Sequence, residues 1–159
     1  LRSNNDAHFA TRVALYELDQ LIKNGLSEED FEATRNFLIN YVPQLVASQD
    51  KQLGYALDSE FYGIGEFGAY VTNQLNQLTV EDVNRVIAEN LQSENMHYVF
   101  ITGDGEDMVK RLSQEQTSPL LYNSEKPKAL TDEDAIIQDY KLAIPANNIE
   151  LLAIDAVFE

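Results

Sequence analysis

The chain has 159 residues, 44% of them hydrophobic, no cysteine, and a formal net charge of −16. One domain of that length buries about 70% of its unfolded surface, and the apolar content excludes a disordered tail. The charge, −6 over residues 1–80 and −10 over 81–159, repels phosphate and argues against nucleic-acid partners; it reads first as a solubilising surface and alternatively as a field that steers basic peptides in.

The first expected element is a helix over 7–24, with Ala10, Ala14, Leu18, Leu21 and Ile22 on one face and Gly25 where a C′ glycine stops it. Ser27 and Asp30 form a capping-box pattern for a second helix, with Phe31, Thr34, Leu38 and Tyr41 in line. Pro43 removes a ladder N–H and predicts a kink or an end. Leu45 to Leu57 reads as helical again, broken by Gly63 and Gly65, and Glu66 to Leu75 reads as a short amphipathic helix.

Thr79 and Asp82 then repeat the capping box, ahead of Val83, Val86, Ile87 and Leu91 at helical spacing. A polar break precedes an expected strand over 96–101, whose apolar run Val99 to Ile101 ends in a Gly103-Asp104-Gly105 turn. Residues 106–112 predict one or two helical turns, and Ser118 to Tyr122 a short extended piece. Thr131 with Asp134 gives a third capping-box pattern, before a helix through Ile137. Ile149 to Phe158 alternates in part and reads as a last strand.

About five helices thus stand against two or three strands far apart in sequence. So few strands leave edge N–H and C=O groups without partners. The expectation is that further strands are missing or come from another chain, and that copies of this one associate through exposed sheet edges. The chain opens at Leu1 without a Met or a signal-peptide pattern, which reads as a fragment or a processed product. No apolar run approaches the length of a membrane span.

Residues that carry chemistry are sparse. His8 and His97 lie 89 positions apart, and neither has the helical Glu or His partner that a zinc motif needs. His97 is expected to be packed or half-exposed in the strand, His8 to face solvent. Asp132-Glu133-Asp134 with Asp139 lacks the glycine and the spaced oxygens of a calcium loop, and reads as a solvated helix start. Gly103-Asp104-Gly105 lacks the other glycines, or the Gly-Lys-Ser/Thr, of a phosphate loop. Tyr55 and Phe61-Tyr62-Gly63 form an aromatic patch, read first as core packing and alternatively as the lining of a peptide cavity. Ser48, Ser59 and Ser113 lack a nucleophile-elbow context. No residue is assigned to catalysis, cofactor binding or metal binding.

The segments NGLSEEDFEATRNFL and LTVEDVNRVIAENL, in this order around FYG and ahead of a Gly-Asp turn, resemble the back half of a C-terminal domain of the insulinase/pitrilysin (inverzincin) zinc metallopeptidases. The likeness covers 7–112 within a portion spanning 1–112, and 113–159 is similar to the closing segment of two-unit bacterial members. The resemblance implies an α+β fold, with helices on one face of a mostly antiparallel sheet, and a role in the wall of a peptide-binding chamber. It implies that zinc, bound at H-x-x-E-H, belongs to an N-terminal domain of the parent protein, and that this chain alone is inactive. The implied partners are that N-terminal half or another subunit, and peptide substrates; the implied compartment is the periplasm. The alternatives are a non-catalytic scaffold or assembly subunit of the same family, and an acidic helical interaction module.

Overall fold

Local signals start and stop most of the helices. In the computed structural model, which describes residues 3–153 and 156, α1 spans Asn4–Asn24. The Ser3 hydroxyl accepts the Asp6 N–H at 3.2 Å, and Gly25, at φ +69°, turns the chain out of the helix. A side chain at Gly25 would meet more than strain, since a Cβ there would lie 2.7 Å from Asn84.

Helix α2 (Glu28–Leu45) is capped by Ser27, whose hydroxyl accepts the Asp30 N–H, and three acids in its first turn complement the helix dipole. It runs two residues past Pro43 before ending. The break falls at 46–48, so α3 (Gln49–Tyr62) begins later than the apolar pattern from Leu45 suggests. Gly63, at φ +66°, closes α3 in the left-handed conformation.

Helix α4 (Phe67–Gln77) is capped by Glu66, and α5 (Val80–Asn90) by a complete capping box between Thr79 and Asp82. Asp104 caps α6 (Gly105–Ser113), and α7 (Lys128–Ile137) follows Pro127. A 3-10 turn covers Ala146–Asn148.

These elements form two compact units. One runs up to Gln20 and resumes at Gln92; the other is Leu21–Leu91. In the first, Leu15, Met108, Leu112 and Leu142 make a buried cluster, with Phe100, Tyr140 and Ile149 packed against it. In the second, α4 packs on α2 and α3, with Phe31, Val42 and Ile87 buried. Asn84 pins the α1–α2 turn there, accepting from the Leu26 N–H at 2.7 Å and donating to the Leu26 carbonyl at 3.0 Å.

The expected α+β fold is not what forms. Among the described residues there is no strand and no sheet, only helices and irregular chain. Residues 96–103 make no backbone–backbone hydrogen bond there, and the Ser118 N–H goes to the Gln138 carbonyl rather than to a ladder. A strand exists only by pairing, and among the described residues 96–101 has no ladder partner. The sheet edges expected to join copies are therefore absent among these residues. Of the proposed last strand, 149–153 contain no strand, while 154, 155, 157 and 158 lie outside the described residues.

Two helix faces also differ from expectation. In α1 the buried residues are His8, Phe9, Arg12 and Leu15, while Ala14 is exposed. In α2, Phe31 and Val42 are buried, and Thr34, Leu38 and Tyr41 are exposed. The Thr131 capping box does not form: Thr131 lies inside α7 and its hydroxyl donates to the Lys128 carbonyl at 3.0 Å.

Candidate functional site

Three places gather polar chemistry, two in the first unit and one in the second. The first is a groove of about 660 Å³ between the start of α1, the extended segment 99–104 and α6. On its polar side Asn4 donates to the Asp104 carbonyl and to an Asp107 carboxylate oxygen, both at 2.8 Å, and accepts from the Thr102 hydroxyl at 2.6 Å. Arg111 donates to the same Asp107 oxygen at 2.8 Å and to Asn5 at 3.3 Å. Hydrogen bonds from Arg111 and Asn4 hold the Asp107 carboxyl below the usual carboxylate range. These groups satisfy one another, so they tie the chain together and present no poised acid, base or nucleophile. On the apolar side Phe100 turns inward to the core, while Val99 and Ile101 are 87% and 96% exposed.

The second place is buried. His8, Arg12 and Ser118 are each 1% exposed or less. Arg12 donates to the Ser118 hydroxyl at 2.8 Å and to the Gln138 carbonyl, with Glu115 at 3.8 Å. Glu115 in turn accepts the backbone N–H groups of Leu142 and Ala143. Arg12 thus binds the segment after α6 and the end of α7 to α1. Neither nitrogen of His8 has a hydrogen-bond partner. Burial, and then the positive charges of Arg12 and Arg111 against a smaller opposing effect of Glu115, lower its pKa to about 4. A neutral, unpartnered imidazole of this kind fills space and performs no proton transfer at neutral pH.

The third place is a groove of about 640 Å³ in the second unit, lined by Tyr55, Ser59, Glu60, Gly63, Gly65, Glu66 and Phe67 among others. Tyr55 and Phe67 stack with centroids 4.1 Å apart. The hydroxyl of Ser59 is buried without a hydrogen-bond partner.

His8, expected at the surface, is fully buried, because the face of α1 that packs carries it together with Arg12. His97 is exposed. Asp132 pairs with Lys128, Asp134 accepts the Tyr122 hydroxyl at 2.6 Å, and Asp139 is exposed. No group of three or more metal-binding side chains occurs among the described residues. Asp104 caps α6 by accepting the Asp107 N–H at 3.0 Å, and a Cβ on Gly105 would lie 2.4 Å from Leu151. Of the aromatic patch, Tyr55 and Gly63 line the third place, whereas Phe61 and Tyr62 are 84% and 70% exposed and pack on each other. Ser48 is the N-cap of α3 but its side chain takes no backbone N–H there and hydrogen-bonds the Asp50 carboxyl instead, and Ser113 donates to the Lys110 carbonyl. Arg12, Glu115, Ser118 and Asn84 carry no motif that marks them in the sequence.

No helix among the described residues is long and apolar enough to cross a membrane. No protein-family model, curated protein or solved structure matches the chain.

Proposed function

We propose that this chain is a non-catalytic, polypeptide-binding part of a larger protein or assembly. The carrying observation is apolar surface left open on irregular chain: Val99, Ile101 and Leu121 are 87%, 96% and 95% exposed. Single surface hydrophobics are ordinary. Among the described residues, however, twenty large hydrophobics are exposed against nine buried ones, and segment 96–103 also leaves its backbone groups unpaired. Another polypeptide laid along this segment would cover both.

In family terms, the reading is the C-terminal portion of a zinc-dependent peptidase of the insulinase/pitrilysin type, forming part of a chamber wall and contacting peptide substrates. Zinc would belong to the N-terminal domain of the parent protein. Its support is the order of the two quoted motifs, each of which carries a helix cap here. The absence of a sheet among the described residues argues against it. The alternative, a scaffold or assembly subunit, draws on the internally satisfied polar groups around Asp107 and Arg12.

The mass, sequence and metal content of the native gene product separate the two. An H-x-x-E-H motif with one bound zinc in the same polypeptide supports the peptidase; a degenerate motif without zinc supports the scaffold. Recovery of the native product as a monomer that binds no other polypeptide would overturn both.

A further inference from the structure

The groove beside Tyr55 is acidic and aromatic, yet it has no cation of its own. Glu60 and Glu66 stand among its lining residues, and none of those residues is Lys, Arg or His. The Ala69 and Gly68 N–H groups bond the Glu66 carboxylate at 2.6 and 2.9 Å and hold its pKa below the usual range. Glu66 therefore remains charged. The groove of the first unit differs in holding a cation: of its two acids, Asp107 is paired with Arg111, which also lines it, and Asp104 caps α6.

Two carboxylates are too few for calcium, which takes six to eight oxygens. An aromatic pair beside a carboxylate suits an organic cation, which gains from the ring faces and from a charge-assisted hydrogen bond together. A guanidinium fits better than an ammonium because it is planar, stacks on rings, and meets a carboxylate with two parallel donors. The opening is not obstructed, since a Cβ added at Gly63 or Gly65 would find nothing within 4 Å.

We propose that this groove binds the guanidinium head of an arginine carried by a partner polypeptide. The groove's volume of about 640 Å³ leaves room for the residues that flank the arginine. Phe61 and Tyr62, next in sequence to the lining and strongly exposed, offer them apolar contact. The net charge of −16 draws such a segment in. The proposal is independent of the family reading and survives its failure.

The test is a titration of the full chain with a short blocked Leu-Arg-Leu peptide, its citrulline counterpart, and N-acetylarginine amide, followed by amide NMR shifts at low salt. The arginine peptide should move the Gly63, Gly65 and Phe67 signals and bind at least tenfold more tightly than the citrulline peptide. Glu60→Gln should weaken it three- to tenfold with helicity unchanged, as should Tyr55→Leu. Equal binding of the citrulline peptide, shifts centred elsewhere, or an unaffected Glu60→Gln variant would overturn the proposal. Binding of N-acetylarginine amide as tight as that of the peptide would overturn the polypeptide as occupant and leave a small guanidinium compound in its place.

Discussion

At the residue scale, the consequential finding is that α1 packs through a histidine and an arginine. His8 is neutral in the folded chain, and its pKa, lowered from 6.5 to about 4, means that the unfolded chain takes up a proton first as pH falls. Its contribution is therefore complete above pH 6.5 and lost progressively towards pH 4, on the order of 3 kcal/mol in all. Urea midpoints of the wild type and His8→Leu should diverge over this window, the wild type weakening faster; parallel curves would show that His8 is not buried. Arg12→Ala should cost about 3 kcal/mol, because it leaves the buried Ser118 hydroxyl without its donor, takes one donor from the Gln138 carbonyl and removes the cation beside Glu115. Arg12→Lys should not restore the loss, since one ammonium cannot reproduce the fork; full recovery in thermal melts would refute the assigned geometry. Neither residue was legible in the sequence. Ser118 and Gln138 lie 106 and 126 positions from Arg12, and nothing local distinguishes Arg12 from a solvated arginine.

At the scale of elements, the legible features were those that a few neighbouring residues decide. Ser27 and Thr79 each cap a helix by accepting an N–H three residues on, and Gly25 stops α1 where its left-handed backbone is needed. Thr131 shows the limit. Its pattern with Asp134 matches that of Thr79 with Asp82, but Pro127 starts the helix a turn earlier, and Asp134 is engaged by Tyr122. The two threonines should respond differently. Thr79→Ala should cost about 1 kcal/mol through loss of the cap. Thr131→Ala should be neutral or slightly stabilising, since alanine favours a helix interior. Equal losses in chemical denaturation would mean that the Thr131 cap forms after all. The strand over 96–101 misled for a related reason: a short apolar run with β-branched residues makes a segment fit for a sheet, but a ladder depends on a second segment that local pattern does not reveal.

For the whole molecule, open apolar surface should govern behaviour. Replacing Val99 and Ile101 with lysine should leave the melting temperature within about 2 °C, because neither side chain is covered. The same change should reduce concentration-dependent association by light scattering; unchanged association would place the sticky surface elsewhere. Equimolar zinc should leave the melting temperature unmoved, and a rise of several degrees would reveal a metal site in this chain. Acid brings the buried imidazole and this surface together. The sequence isoelectric point is about 4.3, close to where His8 finally takes its proton. On acidification the chain loses the charge that keeps copies apart just as its native state weakens, while Val99, Ile101 and Leu121 remain bare. Its solubility minimum and its loss of native structure therefore fall at nearly the same pH, and concentrated samples taken there should precipitate before a reversible acid transition can be followed.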